Sequence, residues 1–419
     1  MENYQGRLLL ETECTAITDF NNLTKLSAMT EVSRSKIICN RCGSSHSKAD
    51  VLLLIGAYYC PSCIQLGRIR SDQFLYHFPQ GQFEKKSCLL WAGKLSPQQD
   101  ELASQLLQAI ALKQELLIHA ITGAGKTEMI YQAIDQALQN GQAVAIASPR
   151  VDVCIELHAR LSRDFSCRIP LLHADGDPYF RSALTILTTH QLMRFKEAFD
   201  LLIIDEVDAF PFVNNAMLHH AVAQAKTKTA CSIYLTATST AELEKEVQKG
   251  RMKKLELARR FHQNPLVVPQ FFWQTQFIKQ LKQQRKSGFP LLIFVPEIKE
   301  GQGLTDQLKI QFPKEKIGFV ASTTENRHQL VSDFRQNKLS ILVSSSILER
   351  GVTFPKVDVF IVQAHHAHFS SSALIQMAGR VGRSTSRPTG LVFLFHEGKT
   401  RAMLKARKEI KKMNQKGGF

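Results

Sequence analysis

From about residue 96 the chain alternates short apolar runs with stretches of helical periodicity, the pattern of parallel sheets covered by crossover helices. A first block offers "ELLIHA", "AVAIAS", "CRIPLLH", "LTILTTH", "LLIIDE" and "CSIYLTAT" as strands, each too short for a helix and rich in β-branched residues or leucine. A second block supplies "PLLIFVP", "KIGFVAS", "LSILVSSSI", "VDVFIVQA" and "GLVFLF", separated by helical segments such as "LTDQLKIQF" and "SSALIQMAGRVG". Between the blocks, "KGRMKKLELARRFHQNPLVVPQFFWQ" is basic and proline-interrupted and reads as a connection. The pattern predicts an α/β protein with two parallel-sheet lobes, residues 95–245 and 276–419, joined through 246–275. An amino-terminal segment (1–38), a cysteine module (39–70) and a linker (71–94) precede them.

Composition narrows the function. A chain of 419 residues, 44% hydrophobic and 21% charged, is long enough for several cores and far from the signature of disorder. Lysine plus arginine number 53 against 37 acidic residues, a formal charge of +16 that favours a polyanionic partner, although many basic proteins are merely soluble. The start, "MENYQGRLLLETECTAI", has no basic segment followed by an apolar signal core, and runs such as "VLLLIGAYY" are too short to span a bilayer, so the expected location is the cytoplasm.

Nine cysteines in a large chain of this kind argue for metal or free thiols rather than a disulfide framework. "CNRC" supplies Cys39 and Cys42, and "CPSC" supplies Cys60 and Cys63, a double C-x2-C pattern that two tight turns fold into a tetrahedral thiolate cage for one structural Zn²⁺. Arg41, Lys36 and Lys48 are expected to offset the thiolate charge, and a redox dithiol at "CPSC" is the alternative. Four cysteine ligands leave no open position for a reactive water. "HHAHF" at 365–369 has no complementary cysteine or carboxylate spacing and reads as a loop rather than a metal site.

"ELLIHAITGAGKTEMIYQAIDQALQNG" reads as strand, loop and helix, the context of a phosphate-binding loop with Thr122, Gly123, Ala124, Gly125, Lys126 and Thr127, its helix ending near Gly141. Backbone N–H groups would surround the phosphates of ATP, Lys126 would reach the terminal ones and Thr127 would hold Mg²⁺. Ala120 stands where the usual leading glycine would be. "LLIIDEVDAFPF" delivers Asp205 to the magnesium shell and Glu206 to the attacking water, with a solvated acidic turn as the alternative. In the second block "LIQMAGRVGR" spaces Arg380 and Arg383 three apart, which on a helix turns both to one face, from which they could stabilise the γ-phosphate.

In order, "LSPQQ", the phosphate loop, "ASPRVD", "TTHQL", "DEVD", "LTAT", "SSSILERGVTFP" and "QMAGRVGR" resemble the motif series of superfamily 2 helicases over about residues 95–395, implying two RecA-like lobes. The cysteine module before the motor, "DEVDAFPF", and "ILERGVTFP" followed by "QMAGRVGRS" resemble the ComFA late competence proteins of Gram-positive bacteria. The resemblance implies an ATP-dependent single-stranded DNA translocase that drives uptake of transforming DNA, working with ComFC and the channel ComEC at the inner face of the membrane. It further implies that Gln99 reads adenine, that Thr236, Thr238 and Gln376 couple nucleotide state to DNA, and that Arg350 and Gly351 lie at the nucleotide and DNA edges of the second lobe. Thr353 stands where the family of motors often has an aspartate.

A sequence-indifferent grip needs hydroxyls, amides and backbone N–H groups on loops after strands. The candidates are Pro149, Arg150, Thr189, His190 and Gln191 in the first lobe and Ser344, Ser345 and Ser346 in the second. The basic end "KARKEIKKMNQK" suits DNA, acidic lipid or simply solvent. Alternatives to the translocase are a primosomal-type replication-restart or repair helicase, an RNA helicase, and a zinc-dependent DNA-binding adaptor with an idle nucleotide site.

Overall fold

The computed structural model describes residues 2–17, 19–21 and 23–419. The chain divides into two compact units, the first made of Met1–His119 with Lys126–Glu256, the second of Ala120–Gly125 with Leu257–Phe419.

Eight short strands open the first unit: β1 (Leu8–Leu10), β2 (Thr24–Ser27), β3 (Met29–Glu31), β4 (Lys36–Cys39), β5 (Ser45–Ser47), β6 (Tyr59–Cys60), β7 (Ile69–Arg70) and β8 (Phe74–His77). They form small antiparallel sheets ordered β1-β8-β2, β3-β4-β5 and β6-β7. None buries enough apolar surface to stand alone. Instead Leu8, Ile37, Leu75 and the four module cysteines join one hydrophobic cluster with Ala145, Leu187, Phe195 and Ala221, so the amino-terminal part is welded to the lobe that follows.

That lobe carries a seven-stranded sheet of β9 (Glu115–Ala120), β10 (Val144–Ser148), β11 (Leu171–Leu172), β12 (Leu184–Thr188), β13 (Phe199–Ile204), β14 (Lys226–Thr236) and β15 (Met252–Leu257), ordered β11-β12-β10-β13-β14-β9-β15. The pairs from β11 through to β9 are parallel. β10 and β12 are buried at every position, as strands covered on both faces must be. The helices are α1 (Pro97–Ala111), α2 (Lys126–Met129), α3 (Tyr131–Gln139), α4 (Val151–Asp164), α5 (Ala216–Ala225) and α6 (Ala241–Gln248).

Three expectations are corrected here. The helix foreseen from the phosphate loop to Gly141 is two segments, α2 and α3, broken at Ile130, whose N–H turns back to the Thr127 carbonyl at 3.3 Å. "CRIPLLH" contributes only Leu171–Leu172, because Pro170 has no N–H for the ladder. The stretch read as pure connection contains β15 and the edge strand of the next sheet.

The second unit holds a six-stranded parallel sheet of β16 (Gln270–Trp273), β17 (Leu291–Phe294), β18 (Ile317–Val320), β19 (Ile341–Ser344), β20 (Asp358–Ile361) and β21 (Val392–His396), ordered β16-β21-β20-β17-β19-β18. Phe277, Phe360, Phe393 and Phe395 pack into its core. The helices are α7 (Phe277–Arg285), α8 (Ile298–Gln311), α9 (Arg327–Arg335), α10 (Ser371–Ala378) and α11 (Arg401–Lys416). α11 buries Met403, Ala406, Ile410 and Met413, an i, i+3, i+7, i+10 stripe, so the basic carboxyl-terminal segment is a packed amphipathic helix with its lysines outward. Among the described residues no helix is long and apolar enough to cross a membrane.

Candidate active site and metal cage

β9 ends at Ala120 and the chain enters the phosphate loop, where Gly123 and Gly125 adopt φ of +79° and +75°. Only glycine takes such angles without strain, and the conformation aims successive N–H groups inward. In the first unit Lys126 Nζ lies 3.9 Å from Asp205 Oδ1 just beyond β13. Burial pushes the Asp205 carboxyl up to about 6; Lys126 opposes this and Glu206 adds to it. A divalent cation there would supply the charge that burial withholds. Glu206 follows at φ +57°, a left-handed conformation that costs a non-glycine residue on the order of 1 kcal/mol and is typical of functional turns. Its N–H donates to Asp205 Oδ1 at 2.9 Å.

Sequence reasoning missed Asp208. Thr236 donates to its Oδ1 at 2.9 Å and Thr238 to its Oδ2, which joins the two predicted coupling threonines to the turn that carries Asp205 and Glu206. All three are buried, so the carboxylate needs both hydroxyls. Gln99 sits in a capping box at the start of α1, its Oε1 accepting from Ser96 N at 2.8 Å.

The arginines of the second unit are not on a helix as foreseen. α10 ends at Ala378, and Arg380 and Arg383 lie in the turn beyond it. That turn requires Gly382, at φ +70°, because a Cβ there would stand 2.3 Å from the Pro388 carbonyl. Arg380 is buried, donating to the Glu349 and Val352 carbonyls, and Arg383 donates to Gly379 O at 3.0 Å and Thr353 Oγ1 at 3.3 Å. Thr353 thus anchors an arginine. Gly351 has φ +75°, Arg350 donates to Ser372 Oγ at 3.1 Å, and Gln376 is buried on α10. Arg260 was also missed: fully buried, it donates to Gly379 O, Gly382 O and, in the segment Ala120–Gly125 that packs in the same unit, to Thr122 O. Burial, with Arg383 adding to it, lowers its pKa to about 9.

The proposed grip residues divide. Pro149, Thr189, Gln191 and Ser344 have buried side chains, and the Ser344 hydroxyl is spent on Ser345 O at 2.8 Å. Contact through an accessible side chain therefore falls to Arg150, His190, Ser345 and Ser346, which are half-buried or exposed.

Cys39, Cys42, Cys60 and Cys63 bring their sulfurs within 4.8 Å of one another, with Cys39–Cys63 at 3.7 Å and Cys42–Cys60 at 3.6 Å. Zinc–sulfur bonds of ~2.3 Å put the edges of a tetrahedron at ~3.8 Å, so the cage fits zinc. The charge compensation is not the foreseen one. Arg41 turns to Glu13 and Leu66 O, and Lys48 to Glu31, whereas His46 Nε2 stands 3.3 Å from Cys60 Sγ. Glu13 also pairs with Arg194 at 3.1 Å, and Arg194 donates to Leu66 O at 2.9 Å, which ties the cage to the turn after β12.

Residues 92–241 match the family of the type III restriction enzyme res subunit, and residues 273–385 match the helicase conserved C-terminal domain. Over its whole length the chain is 50% identical to the competence protein ComFA of Streptococcus pneumoniae, covering 99% of it. The chain belongs to the ComFA family. It is 38% identical to Bacillus subtilis ComFA, with 92% of this chain and 87% of that protein covered. Among solved structures, Saccharomyces cerevisiae Dbp5 bound to RNA and ADP BeF3 matches with a TM-score of 0.57 at 15% identity, covering 76% of this chain and 92% of that one. Mycobacterium smegmatis helicase Lhr bound to ssDNA and AMP-PNP matches at 0.56 and 18%, covering 78% of this chain and 50% of that one. These two likenesses bear on the fold alone, two RecA-like lobes. ComFA is a helicase-like protein of DNA uptake in competence, and its helicase-family ATPase domains imply ATP as the nucleotide.

Proposed function

We propose that the chain is a DNA-stimulated ATPase that moves along single-stranded DNA and draws transforming DNA inward, from the cytoplasmic side of the membrane, in contact with ComFC and ComEC. The observation that carries this reading is the bonding of Thr236 and Thr238 to Asp208, three residues beyond Asp205, because it links a nucleotide-sensing turn to a second strand end. Lys126 and the phosphate loop hold ATP, Thr127 and Asp205 hold Mg²⁺, and Glu206 orients the attacking water. Arg380 and Arg383 offset the charge that develops on the transferred phosphoryl group. Arg150 and His190 in one lobe and Ser345 and Ser346 in the other grip the sugar–phosphate backbone without reading bases, and the zinc cage serves structure and recruitment.

The test is ATP turnover by the full chain with single-stranded DNA, duplex DNA, RNA or no nucleic acid. Stimulation greatest with single-stranded DNA is expected. DNA binding without stimulated turnover would make the chain an adaptor, stronger stimulation by RNA would make it an RNA motor, and processive unwinding of forked duplexes would favour replication restart or repair.

A further inference from the structure

β17 and β20 are neighbouring parallel strands, with Phe294 opposite Ile361, so the loops that follow them leave the same edge of the sheet side by side. The first loop ends at Glu297, the residue capping α8. The second carries "HHAHF" and is pinned at its root by Val362 N to Phe294 O at 2.9 Å and Ala364 N to Phe395 O at 2.7 Å. Two tight turns, His366 N to Gln363 O at 2.8 Å and Phe369 N to His366 O at 3.0 Å, with Phe369 buried, hold His366 and His368 outward. The carboxylate that the spacing of "HHAHF" lacks is thus brought from Glu297 by strand pairing. One ligand atom from each of Glu297, His366 and His368 lies within 4.8 Å of the others.

We propose that Glu297, His366 and His368 form a second metal site, binding an exchangeable divalent transition metal through one carboxylate and two imidazoles. Two details support it. His366 Nε2 and Glu297 Oε1 are 3.7 Å apart, beyond a hydrogen bond and near the ~3.4 Å between two ligands each ~2.1 Å from a tetrahedral ion. His368 Nδ1 lies 3.2 Å from the Pro296 carbonyl, so Nδ1 carries the proton and Nε2 keeps its lone pair, the arrangement that orients imidazole ligands in metal sites. His366 Nδ1 accepts from His368 N at 3.3 Å, which leaves its proton on Nε2. Loading a cation at Nε2 shifts that proton to Nδ1 through solvent and releases the long contact. Imidazole with carboxylate selects zinc or a neighbouring first-row ion over magnesium, and three protein ligands leave coordination open for water or an exchangeable anion.

Zn²⁺ titrated into the full-length protein against a competing chelating dye tests the site. The wild type should bind two equivalents, one retained by the thiolate cage in a mild chelator and one that leaves. His366→Ala combined with His368→Ala should remove the exchangeable equivalent and keep the other, with unchanged melting and unchanged turnover in the absence of DNA. Glu297→Gln should weaken the exchangeable equivalent by about tenfold or more. A wild type that binds a single equivalent, or a double histidine variant that still binds two, overturns the proposal.

Discussion

Asp205, Glu206 and Asp208 are three carboxylates within four residues, and their surroundings assign them different work. Asp205 is buried with Lys126 3.9 Å away; Glu206 is partly exposed in a left-handed turn beyond the strand; Asp208 accepts from two threonine hydroxyls. Lys126→Ala or Glu206→Gln should therefore abolish ATP hydrolysis and leave single-stranded DNA affinity largely intact; turnover at the wild-type rate in either variant would refute the assignment. Asp208→Ala removes the carboxylate that both threonine hydroxyls bond, while Thr236 Oγ1 keeps the Thr238 carbonyl at 2.7 Å. Each lost bond to a carboxylate is worth ~1.5–3 kcal/mol, so stimulation by DNA should drop at least about tenfold, with basal hydrolysis affected less. Comparing turnover with and without DNA separates that outcome from general loss of folding, which would lower both alike.

The four-cysteine module and the first lobe share one core, and loss of the module should be felt through the ion pairs that connect them. Replacing Cys39 and Cys63 by serine should release the structural metal and loosen the module, while the buried strands of the first sheet keep the lobe folded. Far-ultraviolet dichroism should stay near wild type, proteolysis should cut within residues 24–77, and metal retained at full stoichiometry would remove the zinc assignment. Apolar runs revealed nearly every central strand, because strands covered on both faces must be apolar throughout. β15 escaped because edge strands tolerate charge: "MKKLEL" exposes Lys253 and Glu256 and still pairs beside β9, while β16 is a four-residue edge strand that directly follows Pro269. The motifs picked out Lys126 and Asp205, which the fold brings within 3.9 Å of each other, and the four cysteines, which it clusters. Arg260, His46 and Glu297 were not legible, since each gains its meaning from a partner that only chain topology brings near.

For the molecule as a whole, a formal charge of +16 raises the question whether DNA is held by a general positive field or by particular phosphate contacts. α11 shows why the distinction matters. Its outward lysines 405, 408, 411 and 412 belong to a helix whose other face is core, so they contribute to the field whether or not they touch a strand. Each phosphate neutralised by direct contact releases counterions and adds ~0.7 to the slope of log affinity against log salt for a single strand. With about five such contacts the slope is about −3.5, and affinity should fall about a hundredfold between 50 and 200 mM salt. Field effects alone are screened over ~10 Å at 0.1 M and do not depend on one residue. Arg150→Ala should therefore reduce the slope by about 0.7, whereas replacing the four α11 lysines with glutamine should reduce it by far less than the ~2.8 that four lost phosphate contacts would give. Fluorescence anisotropy of a labelled oligonucleotide across a salt series measures both quantities. A flat wild-type response would remove the backbone grip altogether, and a slope lost with the α11 lysines instead of Arg150 would move that grip to the carboxyl-terminal helix.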